Sequence, residues 1–459
     1  MIPSAGRPVL TAQAMRAAEA AAMAAGTTEI ALMRRAGEGI AQAILRLAAG
    51  RPVLVLCGPG HNGGDGFVAA AALRRQRQPV RVAAFGEPRS ETARWARSLW
   101  DGPVVSWDDV APAPVLVDAI FGTGLSRAPD ERIMTVLRRC ADAAILRIAV
   151  DLPSGIESDA GRLLADVPAF DVTLATGAIK PSHLVQPAAR CVGQVRLIDI
   201  GIPIGGGARV ASLPRLPHPD ASSHKYSRGM VAIVAGAMGG AAELAATAAL
   251  RAGAGYVLHL DDRTGVALGP NAIVRRSYTP ESLTDNRIGA IVIGPGLGRD
   301  DTARARLGAA LGSGRPLVID GDALRLIEAM ALADHIGVKI LTPHGGEFAH
   351  MFGDSDASKP ERARKAAAAT RSVVVFKGAD TVIAAPDGRT IFFPPASPWL
   401  STAGTGDVLA GTIGAMLAAG LDPLEAAEAG VWLHGEAARR CGAAFIADDL
   451  ADALSAVRG

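Results

Sequence analysis

The sequence predicts an α/β protein of two domains. Two observations carry that reading. The chain has 459 residues, too many for one typical domain. Short apolar runs also alternate with helical patterns twice over, around one irregular stretch rich in Gly and Pro. The expected domains span residues 1–210 and 222–459. The first is read as a doubly wound, mostly parallel sheet.

Two helical segments open the chain, TAQAMRAAEAAAMAAG and IALMRRAGEGIAQAILRLA. PVLVLCG follows as a strand, because a continuous apolar run suits a strand covered on both faces. Next come a helix from about Gly66, the strand PVRVAAFG, a helix over 92–99, the strand PVLVDAIFG and a helix over 131–140. The strands ILRIAVDLPSG, DVTLATG and VRLIDIG complete the first alternation. After Ile204, GGGARVASLPRLPHPDASSHKYSRG has no apolar period and reads as a linker or an irregular lead-in. The second alternation runs MVAIVAGA, a helix over 241–252, GYVLHLD, GAIVIGPGLG, RPLVIDGDAL, VKILTPHGGEF, SVVVFKGAD, DTVIAAP and TIFFPP. Helices from Asp407 onward close it. No internal repeat links the halves.

Composition narrows the function classes. Hydrophobic residues make up 49%, enough for real cores, and the formal net charge is +2. That balance leaves no electrostatic footprint for nucleic acid or an anionic membrane. Cys57, Cys140, Cys191 and Cys441 have no CxxC spacing, which argues against a disulfide framework or a zinc site. Arg16 and Glu19 interrupt the Ala-rich start, so it reads as an amphipathic helix and not as a signal peptide. No stretch has the length and hydrophobicity of a membrane span. A soluble cytoplasmic protein is expected, with neither nucleic acid nor membrane as a partner.

In the first half, CGPGHNGGDGFVAA follows a strand and opens a helix. Gly58, Gly60 and Gly63 fit the G-x-G-x-x-G dinucleotide fingerprint. Asn62, Gly63, Gly64, Asp65 and Gly66 extend it into a polar run that exposes backbone N–H groups to a phosphate; a tight turn is the alternative. Asp118 and Asp151 end apolar strands, where doubly wound sheets bind ligands. Either could instead cap a helix, although Pro153 and Gly155 set a sharp turn beside Asp151. In the second half, Gly404-Thr405-Gly406-Asp407 offers an anion hole at a helix start. Asp407 is placed there to take a proton from an attacking hydroxyl, or to cap the helix. GPGLG, Asp320 and Asp322 in VIDGDAL, His344 and Glu347 in TPHGGEF, and Lys377 in FKGADT all follow strands.

GHNGGDGFVAA, VDAIFGTGL, VDLPSGI and KPSHL together resemble the YjeF N-terminal NAD(P)H-hydrate epimerases, over about residues 8–204. The resemblance implies a Rossmann-like domain that interconverts the R and S forms of hydrated NADH or NADPH. It implies that Asn62, Asp118 and Ser154 hold a potassium ion and that Asp151 is the acid/base residue. His61, Asn62, Gly63, Gly64 and Asp65 would bind the hydrate with Asp151 and a second loop, Gly122, Thr123, Gly124, Leu125, Ser126, Arg127 and Ala128. Lys180 would complement Asp151 electrostatically or stand in solvent. His61-Asn62 replaces the two asparagines usual in the family.

GPGLG, DGDAL, TPHGGEF, KGADT and GTGDVLAG, in that order, are similar to the ribokinase-like ADP- or ATP-dependent NAD(P)H-hydrate dehydratases, over about residues 222–455. The resemblance implies that Lys377, Gly378, Ala379, Asp380, Thr381 and Gly406 contact ADP or ATP. Ala241, Gly298, His344 and Asp407 would contact the hydrate. Magnesium is expected at the nucleotide phosphates. Ala403 stands where the family commonly has glycine. A bifunctional repair enzyme follows, expected to be a homo-oligomer. The competing readings are a hydroxymethylpyrimidine- or sugar-type kinase fused to a non-catalytic nucleotide-binding domain, an RNA-binding scaffold, and a dinucleotide dehydrogenase. The last would want a ribose-binding acid about 20 residues after the glycines, where Glu87 is a poor candidate. GPGLG with TPHGGEF argues against the kinase.

Overall fold

Continuous apolar runs become fully buried strands in both halves of the chain, as VLVLC, VLVDA and MVAIV illustrate. The computed structural model describes residues 1–262, 269–335 and 337–458. Contacts divide the chain into two units, Met1–Val210 and Ala211–Gly459. The first is a Rossmann-like doubly wound fold and the second a ribokinase-like α/β fold.

The first unit's strands are β1 (Ile2–Pro3), β2 (Val53–Cys57), β3 (Val80–Ala84), β4 (Val104–Val105), β5 (Val115–Ala119), β6 (Leu146–Val150), β7 (Val172–Thr176) and β8 (Gln194–Ile198). A further short strand, β9 (Ala208–Val210), lies beside the N-terminal segment through an antiparallel Pro8–Arg209 bridge. The sheet order is β1-β8-β7-β6-β5-β2-β3-β4. Neighbours run parallel, as β2 does with β5, except at the β1–β8 edge. From β2 the chain winds one way to β3 and β4, then the other way to β5 and onward. The β2/β5 boundary is therefore the switch point, where a crevice opens beyond the strand ends. One hydrophobic core packs helices Glu29–Ala48 and His61–Arg75 against this sheet.

The second helix of that pair begins earlier than the sequence suggests. Gly63 and Gly64 read as loop, because glycine is a poor helix former. They are helical from His61 because packing demands it. A Cβ on Gly63 would sit 1.8 Å from the Gly58 carbonyl oxygen, and one on Gly64 would sit 2.6 Å from Met33 Sδ. The small residues let the helix start lie directly on the β2 loop.

In the second unit the strands are β10 (Met230–Val234), β11 (Tyr256–Leu260), β12 (Val274–Arg276), β13 (Ile288–Ile293), β14 (Leu317–Ile319), β15 (Lys339–Leu341), β16 (Val373–Phe376), β17 (Val382–Ala384) and β18 (Thr390–Phe392). Their order is β12-β11-β10-β13-β14-β15-β16-β17-β18. Pairing is parallel up to β16 and antiparallel through β17 and β18. The switch point here is β10/β13. Helices Gly239–Arg251, Thr405–Ala418, Pro423–Cys441 and Ala447–Arg458 contribute an Ala-rich core on this sheet. Among the described residues no helix is long and apolar enough to cross a membrane.

Two candidate active sites

The first unit holds a cavity of about 760 Å³ at its switch point. Its wall includes His61, Asn62 and Asp65 from the glycine-rich helix start, and Gly122, Thr123, Gly124, Leu125, Ser126, Arg127 and Ala128 from the loop after β5. Asp151 and Lys180 line it as well. Gly63 and Gly64 do not; they face inward as packing glycines. His61 stands at the rim, its Nε2 3.4 Å from Glu29 Oε1.

Asp151 follows β6 directly and adopts φ 62, the left-handed region that an L-residue enters only when its surroundings hold it there. One carboxylate oxygen accepts bonds from the Thr123 N–H (2.9 Å) and the Thr123 hydroxyl. The other accepts from the Thr176 hydroxyl (3.1 Å) and the Lys180 ammonium. Lys180 is 1% exposed, so the solvated alternative falls. Its Nζ also donates to the Thr176 carbonyl at 2.7 Å. Burial alone would raise the Asp151 carboxyl. The Lys180 charge and the Lys180 and Thr123 bonds outweigh it and hold Asp151 well below the ordinary carboxylate range. Asp65 and Glu19 go the other way: burial raises both, with Asp151 adding repulsion and Lys180 opposing.

Behind the wall, Asp118 is fully buried. It accepts the Ser154 N–H (2.8 Å), the Ser154 hydroxyl (2.7 Å) and the Ile120 N–H (3.1 Å). Burial pushes its carboxyl up to about 6 against those bonds. Oδ1 and Nδ2 of Asn62 are buried without a hydrogen-bond partner among the described residues. A Cβ on Gly122 would meet both Asp151 Oδ2 (2.7 Å) and Asn62 Oδ1 (3.1 Å). Only glycine lets this loop approach both oxygens.

In the second unit, Ala241 and Gly298 flank the β10/β13 switch point: a Cβ on the neighbouring Gly296 would stand 3.0 Å from Ala241 Cβ, and one on Gly298 3.1 Å from Ala237 Cβ. Asp322 holds that loop, accepting the Gly298 N–H (3.0 Å) and the Arg299 Nε–H (2.8 Å). Asp320, after β14, accepts the Lys377 ammonium (2.6 Å) and the Thr342 hydroxyl (2.6 Å). Burial lowers the Lys377 pKa, but the charges of Asp320 and Glu347 more than restore it. Gly406 lies against this pair: a Cβ there would be 3.4 Å from Lys377 Nζ and 3.8 Å from Asp320 Oδ2.

Gly404 starts the helix that carries Asp407, at φ 88. A side chain there would be strained and would meet Leu244 and Ala447 within 3 Å. Asp407 does not cap the helix; Gly404 occupies that position. Burial, then the Asp320 charge, push the Asp407 carboxyl up to about 7, with Lys377 opposing. Buried His434 donates from Nε2 to the Thr405 carbonyl at 2.8 Å. Its pKa is pushed down to about 4, chiefly by burial.

His344 caps its own helix. Its Nδ1 accepts the Gly346 N–H (3.0 Å) and the Glu347 N–H (3.3 Å), while Glu347 Oε2 accepts the His344 N–H (2.8 Å). In the Gly378–Ala379–Asp380–Thr381 turn, Asp380 accepts the Lys359 ammonium at 2.6 Å. The Thr381 hydroxyl closes the turn on the Gly378 carbonyl at 3.0 Å.

Sequence reasoning missed Glu19, Arg16 and Arg89 in the cavity wall, Thr176 and His183 bonded to Asp151, and Lys359 bonded to Asp380. Thr176 ends a strand and His183 lies in KPSHL, so both carried a positional signal. Glu19 and Arg16 were read only as interruptions of an apolar stretch. Lys359 opens a helix remote in sequence from the turn it holds, and nothing local marks it.

A crevice with a buried Asp151–Lys180 pair in one unit, and in the other a helix started by Gly404 that carries Asp407 and sets Gly406 against Lys377, define a two-site α/β enzyme. Comparison with known proteins narrows the class. Residues 231–457 match the NAD(P)H-hydrate dehydratase family model, and residues 29–182 match that of the YjeF-related protein N-terminus. A bifunctional NAD(P)H-hydrate repair enzyme of Moorella thermoacetica is 35% identical over 93% of this chain and 91% of its own. One of Salinibacter ruber is 34% identical over 98% and 96%. A solved ADP/ATP-dependent NAD(P)H-hydrate dehydratase from Bacillus subtilis is 31% identical with TM-score 0.46, covering 53% of this chain and 93% of that one. The chain belongs to the bifunctional NAD(P)H-hydrate repair enzymes.

Proposed function

We propose that residues 1–210 epimerise the R and S forms of hydrated NADH or NADPH, and that residues 222–459 dehydrate the S form to NAD(P)H at the expense of ADP or ATP. The observation that carries this reading is the presence in one chain of two strand-end sites, one with Asp151 bonded to Thr123 and Lys180 in a cavity, the other with Asp407 on a helix started by Gly404 and with Gly406 against Lys377.

In the first site the ionised Asp151 takes the proton of the ring hydroxyl. The carbon–nitrogen bond of the carbinolamine breaks, its electron pair goes to the ring nitrogen, and the carbonyl form turns its other face. Reclosure returns the proton from Asp151 to oxygen. Lys180 keeps the carboxylate charged before the first transfer and after the second, and its bond holds the group oriented between them. The oxygen donors Asn62, Asp118 and Ser154 fit a potassium ion: all are hard ligands, and Asn62 Oδ1 lacks a partner. When bound, that ion supplies positive charge beside Asp118.

In the second site Asp407, with a pKa near 7, accepts the proton of the hydrate's hydroxyl as that oxygen attacks the terminal phosphoryl group and the bond to the bridging oxygen breaks, so that AMP leaves from ADP, or ADP from ATP. The N–H groups at the start of the Asp407 helix would face the charge that develops. The carbon–oxygen bond then breaks, phosphate leaves with the oxygen and the bonding pair, and the neighbouring carbon gives its proton to the departing phosphate, which restores the dihydropyridine. Among the described residues no cluster of three His, Cys, Asp or Glu side chains could hold a metal alone. Asp320 and Asp322 are each engaged by a cation. Magnesium would therefore be held chiefly by the nucleotide phosphates. Lys377 and the Gly378–Thr381 turn would take the nucleotide; Ala241, Gly298 and His344 would take the hydrate.

The test is to give the purified chain each resolved epimer with Mg²⁺ and K⁺ and to follow NADH absorbance with ADP, with ATP and with neither. Full recovery of both epimers only with a nucleotide is the expected result. Recovery of neither epimer sinks the reading.

A further inference from the structure

His183 has no role in the chemistry above, yet it touches both members of the Asp151–Lys180 pair. Lys180 precedes Pro181 and is accordingly extended, at φ -103 and ψ 154. A single 3-10 turn, Pro181–His183, then brings the imidazole back over the backbone of Lys180. His183 Nδ1 accepts the Lys180 N–H at 2.9 Å. On its other side, Nε2 lies 2.7 Å from the Asp151 carbonyl oxygen.

These partners fix the tautomer. A backbone N–H can only donate, so Nδ1 carries no hydrogen. A carbonyl oxygen can only accept, so Nε2 carries one. The ring is therefore neutral, and it is 1% exposed. One imidazole ties the main chain of the lysine to the main chain of the aspartate.

The tie matters because of Asp151's backbone. Its left-handed conformation crowds Cβ against the following carbonyl and persists only under outside restraint. The Asp151 N–H is held by the Leu174 carbonyl at 2.9 Å. Its carboxylate is held by Thr123, Thr176 and Lys180. The carbonyl is held by His183. Without it, the peptide after Asp151 is left with the Leu152 N–H bond to the Val150 carbonyl (2.8 Å) alone, its carbonyl is free to turn, and the carboxylate's aim into the cavity loosens.

We propose that His183 is a positioning residue for epimerisation: as a neutral Nε2–H imidazole it clamps the carbonyl of Asp151 and the N–H of Lys180, and so sets the direction of the Asp151 carboxylate. The proposal rests on Asp151 being the acid/base residue.

The experiment compares Asp151→Asn, His183→Ala and His183→Gln in the full chain. Epimerisation and dehydration are measured separately on each preparation. A misaimed group costs turnover more than binding. For His183→Ala the expected result is a kcat for epimerisation lower by about 100-fold, with KM changed by less than about threefold. Dehydration of the S form stays unchanged. Added imidazole restores part of that kcat, and His183→Gln, which keeps an acceptor and a donor, recovers at least about tenfold over alanine. A role in stability alone would lower the unfolding temperature without this split or this rescue.

An alanine variant with parental kcat, beside an inactive Asp151→Asn, overturns the proposal and leaves the Asp151 assignment standing. An alanine loss that neither imidazole nor glutamine restores overturns it as well. An active Asp151→Asn removes the assignment itself, and the proposal with it. If the alanine chain does not fold, glutamine decides. A kcat within about tenfold of the parent supports the clamp; a soluble glutamine chain as inactive as Asp151→Asn overturns it.

Discussion

Asp151 and Asp407 share a side chain and differ in pKa: at Asp151 the Lys180 charge and the Lys180 and Thr123 bonds outweigh burial, whereas at Asp407 burial and then the Asp320 charge outweigh Lys377. For Asp407 the consequence is a pH profile. Its carboxyl must be ionised to accept a proton, and its pKa is near 7, so kcat for dehydration should rise with pH through about 7 and level above it. Asp407→Asn should cost about 10²–10⁴-fold in that kcat and leave epimerisation intact. A profile flat from pH 5 to 9, about two units either side of 7, would argue against Asp407 as the base. Asn62 offers a second residue-level test. If its unpartnered oxygen helps bind potassium, replacing NaCl by KCl should raise the chain's unfolding temperature. A binding contribution of about 1 kcal/mol moves Tm by about 2–4 °C, and Asn62→Ala should erase the shift. Both aspartates were legible in the sequence because each stands in a motif beside a turn that only glycine or proline makes. Their protonation was not. It depends on Lys180 and Asp320, which are 29 and 87 positions away along the chain, and sequence does not state which lysine is buried.

The alternation of strands and helices was readable because period and apolar continuity are local properties. The start of the His61–Arg75 helix was not. Glycine propensity argues for a loop there, and tertiary packing against β2 overrides it. The override has a cost that can be measured. Gly63 faces a backbone carbonyl, which cannot yield, whereas Gly64 faces the flexible end of Met33. Gly63→Ala should therefore destabilise the first unit by about 1–3 kcal/mol or more, and Gly64→Ala by less. Urea midpoints for the two variants decide it; equal losses would contradict the packing argument. The cavity itself lay half outside sequence reach. The loop of residues 122–128 and the run from His61 to Asp65 were anticipated as binding segments, while Glu19 and Arg16 enter the wall from a helix whose sequence signals only amphipathicity.

Two sites in one chain make a stoichiometric prediction. An Asp151→Asn chain given both epimers and a nucleotide should recover NADH from the S share and slow to the rate of spontaneous inversion. An Asp407→Asn chain should recover NADH about 10²–10⁴-fold more slowly while equilibrating the epimers. Mixing the two variants should restore complete repair, because the hydrate is a diffusible substrate for both. If the mixture stalls where Asp151→Asn alone stalls, the division of labour is wrong. The two units share no fold and no repeat, yet each keeps a buried, uncharged imidazole on the main chain of its working aspartate's loop: His183 at Asp151, His434 at Thr405. Both rings are pushed down to about 4, chiefly by burial. A depressed histidine favours the folded state above its unfolded pKa, about 6.5, and that contribution is lost as pH falls through about 4. Acid thus erodes both workshops through the same kind of hinge pin, and neither half can be made acid-tolerant by repairing the other.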